Sequence, residues 1–198
     1  MAHVLVVGGT GILEKVSLFL ASHDNVVTVV SRSKNDFEKL QAQAAGLSGK
    51  INPIAVDYHE IDGLSQRITE SIEAYGPVTL AVNWVHEHLL KFVDVIAGIL
   101  NATSPVCRYF QILPGQELAN VKERKYFESL FRNLERVLYR IIVLGFKREK
   151  GATLRLSNDE ISDGVIQALR DDSKNVLIGT IDPLESESDP FWCSVNSI

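Results

Sequence analysis

Val4-Leu5-Val6-Val7-Gly8-Gly9-Thr10-Gly11-Ile12-Leu13-Glu14 is the stretch from which the rest of the chain can be read. Four apolar residues closed by glycine are what a strand buried on both faces looks like. Gly8, Gly9 and Gly11 permit a tight turn and a close approach of backbone to a ligand. Ile12, Val16, Phe19 and Leu20 then recur at helical spacing, so a helix is expected over Ile12–Ala21. A helix that starts out of a glycine turn presents free N–H groups and a positive dipole end, both of which favour a phosphate. Gly9 and Gly11 match the first two positions of a dinucleotide fingerprint, but the third is Glu14. Two readings stand on this stretch alone: a phosphate turn with altered helix packing, or a glycine turn without a ligand.

The pattern repeats downstream. Strands are expected at Val26–Val30, Ile51–Val56, Val78–Val82, Cys107–Leu113, Leu138–Phe146 and Asn175–Gly179. Helices fall between them. Ser33, with Asp36 three residues on, caps one that ends at Gly46. Ile61, Leu64, Ile68 and Ile72 mark the next, stopped by Gly76-Pro77. A third runs from Glu87 to Leu100 and is apolar over more of its surface than one buried stripe needs, which points to a subunit interface. A charged helix lies between Glu117 and Arg136, and Ser157 with Glu160 forms a capping box for the last, which runs through Leu169. Pro53 removes a ladder donor and places the third strand near a sheet edge. Alternation from end to end predicts an α/β fold, a doubly wound parallel sheet with helices on both faces. We expect one domain over residues 1–181 and an acidic, Ser-rich surface tail over 182–198.

Composition narrows the function classes. The chain has 198 residues, is 45% hydrophobic and 23% charged, and carries a net charge of −5, which argues against a general nucleic-acid binder. Cys107 and Cys193 are far apart and in no metal-like spacing, as expected in a reducing cytoplasm. No apolar run is long enough to span a membrane, and the first residues show no secretory leader pattern.

In such a sheet the ligand binds at the carboxyl ends of the strands. The second strand ends in Ser31-Arg32-Ser33, where a dinucleotide unit for NAD carries an acid that holds the ribose 2′-hydroxyl. Arg offers a planar fork suited to a 2′-phosphate, so the site is read as one for NADP(H). The plainer readings are a solvated Arg32 and a Ser33 that only caps a helix. Asp57, flanked by Tyr58, is placed to take an adenine amino group, or else is a turn residue. Asn83-Trp84-Val85-His86 lines the site past the adenosine end, where His86 is a proton carrier, a ribose contact or a structural residue. His86 and His88 have no third ligand in view, so no metal is assigned.

These segments together resemble the short-chain dehydrogenase/reductase family, in its divergent, atypical branch. The resemblance rests on Gly8-Gly9-Thr10-Gly11, Ser31-Arg32, Asp57-Tyr58 and Asn83, and beyond them on the order of elements. It implies a Rossmann fold, a dinucleotide cofactor, a small carbonyl substrate and a homodimer or higher oligomer. It also implies that Gly8, Gly9, Thr10, Gly11, Ile12 and Leu13 hold the pyrophosphate, Arg32 the 2′-phosphate and Asp57 the adenine. The backbone of Asn83, Trp84, Val85 and His86 would then lie near the nicotinamide ribose.

Catalytic members of that family carry a Ser after the fifth strand and a Tyr-x-x-x-Lys on the next helix. Here the strand ends in Ile112-Leu113-Pro114-Gly115, and the fourth residue after Tyr126 is Leu130. Tyr139 is followed four residues on by Val143. A tyrosine without a nearby lysine stays near a pKa of about 10 and transfers protons poorly at neutral pH. The standard catalytic set is therefore absent from the sequence, and the catalytic residues are unknown. Tyr126, His86 and an ordered water are the candidate proton sources of an oxidoreductase. The other reading is a regulatory protein that senses NADP(H) without turnover.

Overall fold

The computed structural model describes residues 1–84, 90–115, 121–149, 152–181 and 196–197, with backbone alone at 121–124 and 196–197. In chain order the elements are β1 (His3–Val7), α1 (Glu14–Ala21), β2 (Val26–Ser31), α2 (Lys34–Ala44), β3 (Lys50–Ala55), α3 (Ile61–Tyr75), β4 (Val78–Trp84) and α4 (Leu90–Thr103). They continue with β5 (Cys107–Pro114), α5 (Val121–Arg132), β6 (Val137–Leu144), β7 (Phe146–Glu149), β8 (Ala152–Arg155), α6 (Asn158–Asp171), β9 (Asn175–Ile178) and β10 (Asn196–Ser197).

The main sheet is parallel throughout, in the order β10-β9-β6-β5-β4-β1-β2-β3. All seven expected strands are in it, with helices on both faces, as the alternation of elements predicts. β1 is fully buried along its length, because each face of the sheet is covered. Val4, Val6, Val27, Val29 and Val82 pack under α1, α2 and α6; Leu5, Val7, Val30 and Ala81 pack under α3, α4 and α5. On α4, Phe92, Val93, Ile96, Ala97 and Leu100 are buried within this one chain. Most of its apolar excess is thus used internally, and Val95 and Ile99 are left half-buried.

Two features depart from the expectation. The sixth strand does not run through Phe146: Gly145 ends it, and Phe146 turns out to bridge Thr180 in antiparallel fashion. A side chain at Gly145 would meet the Thr180 carbonyl at 2.1 Å, so only glycine lets the chains touch there. β7 and β8 then form a separate antiparallel pair, and β8 is exposed along its length. Second, Asn196 and Ser197, assigned to the tail, pair beside Val176 and Leu177. The rest of the tail, including Phe191, Trp192 and Cys193, lies outside the described residues.

β3 is an edge strand, where Pro53 places it. The amides of Lys50 and Val56 bond back to the β2 side, so by alternation Ile51, Pro53 and Ala55 point their backbone outward. Pro53 has no N–H to offer, and Arg67 Nη1 covers the Ala55 carbonyl at 3.0 Å.

Candidate functional site

β1 and β4 are neighbours, but the chain passes from β1 outward to β2 and β3 before crossing back to β4. Their carboxyl ends therefore form the crevice where a doubly wound sheet takes its ligand. Gly8 follows β1 at φ +79°, which an L side chain rarely adopts, and its amide bonds Val30 O at 2.9 Å. Gly9 is glycine for another reason: a Cβ there would meet Ser17 Oγ at 2.5 Å, Val29 Cγ1 at 2.8 Å and Val6 Cγ1 at 2.9 Å. Ser17 Oγ donates to Gly9 O at 3.0 Å and holds the turn against α1. Gly11 is exposed, its φ is ordinary, and a Cβ there would meet nothing within 4 Å.

The turn offers donors. No hydrogen bond from the amides of Gly9, Thr10, Ile12 or Leu13 forms among the described residues. Leu13, at the N-cap position of α1, makes no side-chain cap bond. Four unbonded amides and a bare, open Gly11 fit a phosphate, whose oxygens accept such bonds. Glu14 in the first turn of α1 is the opposing feature, since a carboxylate already sits at the positive end of the helix.

The turn is tied to β2. Thr10 and Ser31, both buried, pair their hydroxyls at 2.7 Å, which places Arg32 directly beyond the glycines. The Arg32 guanidinium lies 5.5 Å from the centre of the Tyr58 ring, and Tyr58 meets Phe92 edge-on at 5.1 Å. Burial raises the Tyr58 pKa, with Arg32 opposing. Ser33 accepts from the Asp36 amide and caps α2. Asp57 Oδ1 accepts from the His59 amide at 3.0 Å, a local turn bond. The structure thus brings together Gly8 to Leu13, Ser31, Arg32 and Tyr58. Ser33 and Asp57 each have a local structural bond.

On the β4 side, Asn83 is buried and donates through Nδ2 to Gln111 Oε1 at 2.8 Å. Its Oδ1 and the Tyr109 hydroxyl are buried and have no hydrogen-bond partner among the described residues. Burial drives the Tyr109 pKa well above its ordinary value, and the nearby Tyr139 adds to this. Trp84 stands beside Gly8 and is half-buried. Val85 and His86 lie outside the described residues. Tyr126 on α5 donates to Asp94 Oδ2 on α4 at 2.5 Å. That bond, with desolvation and the Asp94 charge, pushes its pKa up to about 12. Burial likewise pushes the Cys107 thiol up to about 12, so it is an inert core group.

Two surface grooves lie elsewhere. One of about 570 Å³ separates β3 from α3, and one of about 480 Å³ lies among α1, α2 and α6. Neither is lined by the glycine turn. No group of three metal-ligating side chains gathers among the described residues. None of the described helices is long and apolar enough to cross a membrane.

No protein-family model matches the sequence, and no curated protein matches it. Solved structures do. A mutant short-chain dehydrogenase/reductase from Serratia marcescens is 14% identical, with 100% of this chain and 96% of that one covered at a TM-score of 0.69. The fold is that of the short-chain dehydrogenases/reductases. A β-ketoacyl-[ACP] reductase from Bacteroides thetaiotaomicron gives 17% identity, 91% and 96% coverage and a TM-score of 0.65. A metagenomic short-chain oxidoreductase solved in complex with NADP gives 14%, 91% and 96%, and 0.64. At these identities the likeness is one of fold. It supports the expected Rossmann architecture, in which Gly8 lies beside Trp84 at the ends of β1 and β4 and Arg32 follows β2 on the other side of β1.

Proposed function

We propose that this chain binds NADP(H) in the manner of a short-chain dehydrogenase. The observation that carries the reading is the open glycine turn, with four amides that find no partner among the described residues, fastened by the Thr10–Ser31 pair next to Arg32. In this reading the Gly8–Leu13 turn holds the pyrophosphate through the amides of Gly9, Thr10, Ile12 and Leu13, and Gly11 lets it come close. Arg32, resting on Tyr58, grips the 2′-phosphate through its fork. Asp57 and Tyr58 border the adenine, and Asn83 to His86 border the far ribose. When bound, the cofactor would supply hydride chemistry to a small carbonyl substrate. The likeness to a short-chain oxidoreductase solved with NADP supports the choice of cofactor. We further infer a homodimer or higher homo-oligomer, to which α4 offers only the half-buried Val95 and Ile99, and a cytoplasmic setting from the cysteine usage.

A second reading, an NADP(H)-sensing protein without turnover, is favoured by Tyr126. Its proton is held by Asp94 and its pKa is displaced to about 12, away from a useful donor. Titration of NADPH and NADH against the protein and its Arg32→Ala variant tests the cofactor assignment. We expect NADPH to bind at least tenfold tighter than NADH, and the variant to erase that difference. Failure of both nucleotides to bind at millimolar concentration would sink the reading. Saturable turnover of any carbonyl compound would exclude the sensor.

A further inference from the structure

Arg32 is exposed, and among the described residues its fork makes no hydrogen bond and no ion pair. Its one contact there is with Tyr58, whose ring the guanidinium lies over at 5.5 Å. The sheet brings the two together. β2 and β3 run parallel with Ser31 opposite Ala55, and the Val56 amide bonds Ser31 O at 3.1 Å. Arg32 and Tyr58 therefore leave adjacent strands just past the same rung. Asp57 then turns the chain, taking the His59 amide on Oδ1 and the Glu60 amide on its carbonyl. Tyr58 is itself held by the fully buried Phe92 of α4, edge-on at 5.1 Å. The ring is anchored in the fold, and the arginine is anchored only to the ring.

A guanidinium attracted to the face of a ring loses much of the freedom of its long stem. Its N–H groups point outward in its own plane and stay available to an anion. We propose that Tyr58 is a positioning residue for cofactor selectivity: its ring holds the Arg32 fork ready for the 2′-phosphate, and so raises the preference for NADP(H) over NAD(H). This rests on the NADP(H) reading and deepens it. Only the aromatic face is used, so phenylalanine serves at position 58 and an aliphatic side chain does not. Because Tyr58 acts through Arg32, its effect on selectivity vanishes when Arg32 is removed.

Calorimetric titration of NADPH and NADH tests this on the full chain, as wild type, Tyr58→Phe, Tyr58→Leu, Arg32→Ala and the Arg32→Ala/Tyr58→Leu double variant. The readout is the ratio of the two affinities, because a general loosening of the adenine side weakens both nucleotides alike. Tyr58→Leu is expected to lower the NADPH preference roughly two- to fivefold, the worth of one cation–π contact at an exposed site. Tyr58→Phe is expected to keep it. In the Arg32→Ala background, Tyr58→Leu is expected to leave the ratio where it is. An unchanged ratio in Tyr58→Leu alone, an equal fall in Tyr58→Phe, or a further fall in the double variant would overturn the positioning role and leave the cofactor site standing. A wild type that binds neither nucleotide, or both equally, would overturn the NADP(H) reading and the role of Tyr58 with it. Tyr58→Met serves if Tyr58→Leu does not fold.

Discussion

Gly9 and Gly11 are two residues apart and are glycines for opposite reasons. Gly9 is walled in by Ser17, Val29 and Val6, and Gly11 faces open space. Gly9→Ala is expected to destabilise the chain by roughly 1–3 kcal/mol, the usual cost of forcing an atom into a packed site. Gly11→Ala, at an ordinary φ, is expected to leave stability unchanged or raise it by about 0.4–1 kcal/mol through the unfolded chain, while weakening NADPH. Chemical denaturation and a nucleotide titration on the two variants would show the split. An unchanged affinity in Gly11→Ala would mean that no phosphate approaches there. The sequence shows three glycines in four residues and cannot rank them, because what separates them is contact with β2, β4 and α1. Arg32 was legible as a departure from an acid. The Thr10–Ser31 pair was not, because it joins residues 21 apart through side chains that only the folded sheet brings face to face.

At the scale of elements, the last helix was the easiest to read. Ser157 and Glu160 form the reciprocal cap that their spacing announces: Ser157 Oγ accepts from the Glu160 amide at 3.2 Å, and Glu160 Oε2 accepts from the Ser157 amide at 2.7 Å. Lys147 and Ser157 together hold the Glu160 carboxyl down at about 2. α6 also reaches the glycine turn, since Ser162 Oγ donates to Ile12 O at 2.8 Å and Asp163 pairs with Lys15 at 2.6 Å. Ser157→Ala is expected to cost roughly 1 kcal/mol of stability, read as a lower denaturation midpoint with an unchanged slope. A midpoint equal to wild type would show the cap to be idle. The β7–β8 pair was missed because its start is continuous with a strong strand, and the break at Gly145 is set by the Thr180 backbone rather than by local sequence. Its signal was weak: a Gly at position 151 between two short polar segments.

For the whole molecule, alternation of elements was enough to give the sheet, its parallel sense and its two covered faces. Strand order adds the crevice at the carboxyl ends of β1 and β4. The amino ends of the strands hold a polar cluster that ties β1, β2, β3 and the α3–β4 turn. His3 Nδ1 donates to Gly76 O at 2.7 Å, since a carbonyl can only accept. Nε2 of the neutral ring then accepts from the Thr28 hydroxyl at 2.7 Å, and Asn52 Nδ2 donates to that hydroxyl at 3.1 Å. Burial lowers the His3 pKa, against a smaller opposing effect of the Gly76 bond. Its contribution is therefore complete above the unfolded value of about 6.5 and declines as pH falls from there towards the lower folded value. Urea unfolding at pH 7.5 and 5.5 should show lower stability at the acid pH, with a shallower loss in His3→Asn. Equal pH dependence in the two proteins would remove His3 from the account.

A sheet is also a template, and each unpaired edge is a place where another strand can add. At β3 the central outward position lacks its donor and the last outward carbonyl is already occupied by Arg67. Growth from that side has no first step, whether the incoming strand is a partner's or a misfolded copy of this one. Strand addition between copies of this chain is therefore disfavoured at β3, and the fibre that a long open edge invites has a poor nucleus at this one.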